Sequence, residues 1–160
     1  MHRISQNDLE WEHSVSPKDK YERYTRNVSG KMKPSSGPVT DRGNYPFEVS
    51  LVRIPPGKRP WPQHRHELQW EYYTVLEGTG AMRCDDDSQV PLKPGDVLMF
   101  PPGEAHTIIN TGTADLIIQI IADNPSADIV HYPDSDKWAF YPPRKRFRMT
   151  EVANYYDGEE

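Results

Sequence analysis

The chain has 160 residues, of which 35% are hydrophobic, enough for the core of one domain but not of two. Its net charge of −5 argues against a nucleic-acid partner, because nucleic-acid binders normally carry a basic surplus. Cys84 is the only cysteine, which excludes an intramolecular disulfide and fits a reducing compartment. The sequence shows no apolar signal segment and no apolar run near the ~20 residues of a membrane span. We therefore expect a cytoplasmic protein that binds neither nucleic acid nor membrane.

The first 43 residues are polar and irregular. Isolated large apolar residues, Leu9 and Trp11, could anchor this segment on a folded domain. Residues 34–43 are rich in Pro, Ser and Gly, which predicts a loop. We expect residues 1–43 to form an N-terminal arm.

From residue 45 onward, short apolar runs alternate with Gly, Pro and Asp turn residues. The runs span residues 47–54, 70–78, 81–84, 89–92, 97–100, 106–110 and 116–122. Strand-like runs about every 8–12 residues, with no helical pattern between them, are typical of an antiparallel β-sandwich or barrel. A small eight-stranded barrel has room inside for one small ligand. The sequence therefore predicts an all-β domain over residues 44–122.

Residues 123–160 contain many aromatic residues and prolines. The segment is too apolar for simple disorder and too proline-rich for a helix, so we expect an extended C-terminal arm packed on the barrel or on a partner subunit. Residues 155–160 are expected to fray. The basic run at 142–148 is interpreted as a solvated patch or an interface, because the chain as a whole is acidic.

Two histidines one residue apart suggest half of a metal site. Side chains alternate across a strand, so His64 and His66 point to the same side, and Glu71 follows five residues later. His106 opens a later strand and can enter from a neighbouring position. Three neutral imidazoles and a carboxylate would hold one divalent transition metal, but they do not distinguish Fe, Mn, Ni, Zn and Cu.

The spacing of these residues resembles the two sequence motifs of the cupin superfamily. The first motif is matched by Gly57, His64, His66, Glu71 and Gly78, with one extra residue in the first gap. The second motif is matched at every spacing by Gly95, Pro101, Gly103, His106 and Asn110. The resemblance covers about residues 45–122, and the segment after residue 123 looks like the C-terminal extension of small bacterial cupins.

The resemblance implies a fold, a metal site and an assembly. It implies a jelly-roll-like β-barrel, extended here by N- and C-terminal arms, and a metal bound by His64, His66, Glu71 and His106. It also implies a homodimer, because cupins commonly pair through their barrels. The reaction stays open, since cupins include dioxygenases, decarboxylases, isomerases, lyases, storage proteins and sugar-binding regulators.

Several neighbours of the metal ligands are candidates for binding or catalysis. Tyr73 shares a strand face with Glu71, so we predict that it faces the cavity as a catalytic acid or base, or as a wall residue. Arg53 ends an apolar strand, where it could bind a substrate carboxylate or be a solvated strand end. Trp61 is predicted to form a lip of the pocket or to cover the barrel end. Gln69 is predicted to support the ligands and the bound substrate.

Two functions from different classes fit this sequence. The first is a metal-dependent enzyme acting on a small oxygenated or carboxylate metabolite, with dioxygenase first and isomerase, decarboxylase or lyase close behind. The alternative is a small-molecule-binding or sensing cupin without turnover. Such modules often accompany a DNA-binding domain, and the irregular residues 1–43 do not resemble one, which favours the enzyme.

Overall fold

The computed structural model describes residues 3–32, 46–149 and 155–157, and its regular structure is almost entirely antiparallel β-strand. The strands are β1 (Glu12–Val15), β2 (Glu22–Asn27), β3 (Phe47–Ile54), β4 (Arg65–His66), β5 (Glu71–Glu77), β6 (Gly80–Arg83), β7 (Gln89–Leu92), β8 (Val97–Phe100), β9 (Thr107–Ile109), β10 (Leu116–Asp123), β11 (Asp128–Tyr132), β12 (Lys137–Tyr141) and β13 (Lys145–Arg148). A one-turn helix, α1 (Val28–Lys31), follows β2. The predicted loop at 34–43 and the last tail residues, 158–160, lie outside the described residues.

The strands form three sheets. The largest has the order β1-β2-β3-β10-β5-β8, the second β13-β12-β11-β4, and the third β7-β6-β9. The all-β prediction is therefore confirmed, and each of the seven predicted apolar runs overlaps a strand.

The core fills the space between the six-stranded and the three-stranded sheets. In β10 the residues alternate between buried and half-buried positions, with Leu116, Ile118 and Ile120 pointing inward. These side chains pack with buried residues of the third sheet, including Met82 and Ile108. Each such burial contributes about 1.5–3 kcal/mol, so period-two alternation is sufficient to set which sheet face points inward.

Both arms are built into the sheets. In the N-terminal arm, β2 pairs with β3 in the register Tyr24↔Arg53 and extends the large sheet. In the C-terminal arm, β11, β12 and β13 form an antiparallel meander, and β11 pairs with β4 through Val130↔His66. The histidine-bearing segment is therefore held at the barrel mouth by a strand of the C-terminal extension.

The turn between β5 and β6 requires a glycine. Gly78 has φ +78°, and a Cβ on this residue would lie 2.3 Å from the carbonyl oxygen of Asp115. Both the left-handed backbone and the close approach exclude a side chain here.

In the described part of the chain, no helix is long and apolar enough to cross a membrane.

Candidate metal centre

Three of the predicted ligands meet at one point near the mouth of the barrel. One potential ligand atom from each of His64, His66 and Glu71 lies within 4.8 Å of the others. The Nε2 atoms of both histidines are 3.8 Å from Glu71 Oε2. Because Glu71 begins β5 and His66 lies on β4, the cluster bridges the six-stranded and four-stranded sheets.

His106 joins the same cluster. Its Nε2 lies 2.9 Å from Glu71 Oε2, and its ring centroid is 4.9 Å from that of His64. The backbones of His64 and His106 exchange two hydrogen bonds, with N···O distances of 3.1 and 2.9 Å. The structure thus brings together all four residues predicted as ligands.

The Nδ1 atom of each histidine faces an acceptor outside the cluster. The Nδ1 of His64 lies 3.1 Å from the carbonyl oxygen of Pro62, and that of His106 lies 3.0 Å from the carbonyl oxygen of Glu104. The Nδ1 of His66 lies 2.5 Å from Asp128 Oδ2. A carbonyl or carboxylate oxygen accepts only, so these contacts favour a proton on Nδ1 of His64 and His66 and leave their Nε2 atoms facing Glu71. His106 differs, because both of its ring nitrogens face an acceptor.

Asp128 is the site residue that sequence reasoning missed. It opens β11 in the C-terminal extension and is 1% exposed. Its Oδ1 accepts a hydrogen bond from the backbone N–H of Leu68 at 3.0 Å, while its Oδ2 orients His66. The sequence signal that could have found it is a lone acidic residue at the start of an apolar strand. A carboxylate buried in such a strand almost always has a polar partner.

The electrostatics keep the ligands in the forms that a metal requires. Burial lowers the pKa of His64 to about 3, against the opposing attraction of Glu71, because desolvation disfavours an imidazolium ion. Burial by itself would raise the pKa of Glu71, but the hydrogen bond with His106 and the charges of the neighbouring histidines outweigh it and lower the pKa to about 2. At neutral pH His64 is therefore a neutral imidazole and Glu71 a carboxylate.

Tyr73 lies behind Glu71. Its hydroxyl donates to Glu71 Oε2 at 3.2 Å, and its side chain is fully buried against Phe100, with ring centroids 5.2 Å apart. Burial, reinforced by the charge of Glu71, raises the pKa of Tyr73 well above its ordinary value, so the phenol stays protonated. Tyr73 is not among the described residues that line the cavity. Its position fits orientation of Glu71 and not the predicted contact with substrate.

Trp61 and Gln69 line the cavity, whereas Arg53 does not. The rings of Trp61 and His64 meet edge to face at a centroid distance of 6.1 Å. Gln69 is buried, and its Nε2 donates to the carbonyl oxygen of Asp123.

Arg53 lies on the outer face of the large sheet. Its guanidinium stacks on Tyr24 at 4.2 Å and on Trp11 at 5.1 Å, and its Nε is 3.7 Å from Asp115 Oδ2. This position contradicts the prediction that Arg53 reaches the cavity mouth. The physical reason is strand alternation: Val52 and Ile54 on either side of it point inward.

The cluster opens into a cavity of about 700 Å³, within the ~300–1,000 Å³ range of small-molecule sites. His64, His66 and Glu71 form its floor, and polar residues from both arms form its walls: Arg23, Asn27, Tyr132, Lys137, Tyr141, Arg144 and Arg146. A smaller space of about 270 Å³ shares Trp61, His64, Gln69 and Glu71 and extends toward the barrel interior beside Val52.

Comparison with known proteins identifies the family. Residues 50–121 match a family model described as a cupin domain. The matched segment is therefore a cupin domain, and the cupin prediction is confirmed. The matched segment contains all four clustered residues but neither arm.

The similar proteins carry different functional names. An oxalate-binding protein of Thermotoga maritima is 42% identical over 65 residues, which are 41% of this chain and 52% of the relative. The chain spans about half the length of the curated relatives it matches.

Two solved structures resemble nearly the whole chain. One, from Acidithiobacillus ferrooxidans and provisionally named a sugar phosphate isomerase, has a TM-score of 0.77 at 25% identity over 92% of this chain and 90% of its own. The other, a sugar phosphate isomerase from Silicibacter pomeroyi, has a TM-score of 0.75 at 22% identity over 97% of this chain and 98% of its own. The second likeness is one of fold alone.

Proposed function

We propose that the protein is a metal-dependent enzyme that acts on a small oxygenated or carboxylate metabolite in the cavity above His64, His66, Glu71 and His106. One observation carries the proposal. The Nε2 atoms of three histidines face one carboxylate oxygen, while each Nδ1 is held by an acceptor outside the cluster. Such polarised imidazoles are typical of metal ligands.

The donor set suits a divalent transition metal such as Fe, Mn, Ni, Zn or Cu. A metal bound by these four residues would supply Lewis-acid chemistry, and a redox-active one would add oxidation chemistry. Side chains of the protein orient the ligand residues. Tyr73 orients Glu71, and Asp128 orients His66.

The reaction class remains a proposal. Sequence reasoning favours dioxygenation, followed by isomerisation, decarboxylation or lyase chemistry. The likeness to the A. ferrooxidans protein, which covers 92% of this chain, makes isomerisation the first reaction to test. The identity with the T. maritima oxalate-binding protein supports the alternative, a site that binds a small carboxylate without turnover.

Elemental analysis of the purified protein tests the metal. We expect about one transition metal per chain, and its loss in His66→Ala. A His66→Ala variant that keeps full occupancy would contradict the ligand assignment. The metal-loaded protein is then assayed for isomerisation of aldoses and ketoses, for oxygen uptake with catechols, diketones and thiols, and for binding of oxalate. Binding without turnover on the whole panel would favour the alternative.

We also infer a homodimer. On the outer face of the large sheet, Met99 is 59% exposed and pairs with Tyr72, and Val97 on the same edge strand is 53% exposed. Trp70, two residues before Tyr72 in the sequence, is also exposed. Contiguous apolar surface beside a sheet edge marks an interaction site, and light scattering measures the assembly. A monomeric mass would refute the inference. The cytoplasmic location stays a prediction.

A further inference from the structure

The cavity is more positive than the protein that surrounds it. The chain carries a net charge of −5. The cavity lining contains four cationic side chains and two carboxylates. The cations are Arg23, Lys137, Arg144 and Arg146, and the carboxylates are Glu48 and Glu71. Charges of one sign in a concave site raise the local concentration of an oppositely charged ligand. The lining therefore favours an anion.

One wall of the cavity is the guanidinium of Arg23. This side chain on β2 donates to the carbonyl oxygen of Pro60 at 2.8 Å and lies 5.7 Å from the ring of Trp61. Both partners are neutral, and burial lowers the pKa of Arg23. A half-buried cation with neutral partners is costly, and an anion in the cavity would offset that cost.

A second wall comes from the C-terminal arm. The ring of Tyr132 is 6.2 Å from that of His64, and Lys137 Nζ lies 5.1 Å from the centroid of the same Tyr132 ring. Arg146 donates to the hydroxyl oxygen of Tyr141 at 3.4 Å, which places its guanidinium at the same rim. Tyr132 thus lies between Lys137 and His64, and Arg146 lines the same cavity as the histidine cluster.

We propose that Arg23, Lys137 and Arg146 form a phosphate subsite, so that the ligand is a small phosphorylated metabolite with oxygen donors at its other end. The proposal rests on the proposed function, because it assigns that other end to the histidine cluster. A ligand with a single carboxylate carries one negative charge, which is fewer than the three positive charges on these two walls. A phosphate offers a dianion with several acceptor oxygens, which guanidinium and ammonium groups can share.

The subsite lies outside the segment that matches the cupin family. Arg23 belongs to β2, Lys137 to β12 and Arg146 to β13, whereas the match covers residues 50–121. The barrel therefore carries the histidine cluster, and the two arms carry the selection of the anion.

A matched pair of probes tests the subsite. Isothermal titration of the metal-loaded protein compares 3-phosphoglycerate with glycerate, which differ only by the phosphate. We expect the phosphorylated probe to bind at least about tenfold more tightly, because charge-assisted hydrogen bonds are the strong ones. In Arg146→Gln and Arg23→Gln most of this preference is lost, while metal content stays as in the parent protein.

Lys145→Gln is the matched control, since Lys145 is an exposed cation adjacent to Arg146 on β13 that does not line the described cavity. It should keep the preference. Arg146 is also exposed, so Arg146→Gln tests the proposal even if Arg23→Gln fails to fold. Equal affinity for the two probes, or an unchanged preference in Arg146→Gln, would overturn the subsite.

Inorganic phosphate separates this proposal from the proposed function. Chelator-treated protein is titrated with phosphate, and we expect binding that weakens in Arg146→Gln but not in Lys145→Gln. If phosphate binds in this way but no metal does, the subsite stands and the metal-dependent function fails. If metal and glycerate bind but the phosphate group adds nothing, the function stands and the subsite fails.

Discussion

The imidazole of His66 and the carboxylate of Asp128 are joined by a hydrogen bond of 2.5 Å, which ties the candidate metal centre to the C-terminal extension. Asp128 is buried and also accepts the backbone N–H of Leu68. One carboxylate therefore orients a ligand ring and fixes the chain two residues beyond it. Outer partners of this kind typically change metal affinity by about 10–100-fold.

Asp128→Asn should lower metal affinity by about 10–100-fold, because an amide group facing His66 Nδ1 no longer supplies a charged acceptor. Competition with a chromogenic chelator measures the change. Asp134→Asn removes an acid of the same arm that pairs with Arg83 instead, and should leave the affinity unaltered. A folded Asp128→Asn protein with the parent affinity would show that this contact does not tune the site.

Tyr73→Phe should reduce metal affinity only a few-fold and lower the free energy of unfolding by about 1 kcal/mol, since it removes one hydrogen bond to Glu71 and keeps the ring packing. Chelator competition and urea denaturation provide the two numbers. If Tyr73 were the acid or base of the reaction, turnover would disappear while metal affinity stayed near that of the parent.

The metal-free protein should lose stability as the pH falls from about 6.5 toward 3. The pKa of His64 is lowered from 6.5 to about 3 in the folded chain, so within this window the unfolded chain binds the proton and the folded chain does not. The carboxylate of Glu71 adds a loss in the same direction, below its ordinary value of 4.5 and down to about 2.

Melting temperatures in the presence of a chelator follow this effect, and the window from pH 6.5 to 4.5 isolates His64 from Glu71. His64→Gln should flatten the slope there. His13→Gln, at an exposed histidine far from the cluster in sequence, should not. A parent protein whose stability is constant over this window would contradict the lowered pKa of His64.

Gly78→Ala should destabilise the fold by more than about 2 kcal/mol, because the added methyl meets the carbonyl oxygen of Asp115 at 2.3 Å in addition to the cost of a positive φ. Gly95→Ala is the matched comparison. Its φ is +92°, but nothing lies within 4 Å of the added methyl, so only the backbone cost of about 1–2 kcal/mol remains. Urea denaturation of the two variants compares both effects, and equal losses would rule out the steric contribution at Gly78.

The histidine cluster could be predicted because its information is local. His64, His66 and Glu71 lie within eight residues, and His106 sits at a fixed spacing after a turn. Strand alternation predicts that His64 and His66 point to the same side, and in the structure both lie beside Glu71. The same alternation rule, applied to Val52 and Ile54, would have placed Arg53 on the outer face.

The residues that the two arms contribute to the site could not be predicted from local spacing. Asp128 reaches His66, and Arg23 reaches the cavity, only through the pairings of β11 with β4 and of β2 with β3. These registers depend on tertiary contacts and leave no fixed spacing in the sequence. For Tyr73 the sequence predicted the inward strand face correctly. It did not predict that the side chain would be fully buried in the core.

The reciprocal backbone hydrogen bonds between His64 and His106 have a consequence for metal exchange. They set the separation of two ligand-bearing residues through the main chain, whether or not an ion is present. A metal bound as we propose would enter a frame that the main chain has already assembled. Such a centre would be able to exchange one metal for another while the barrel stays intact.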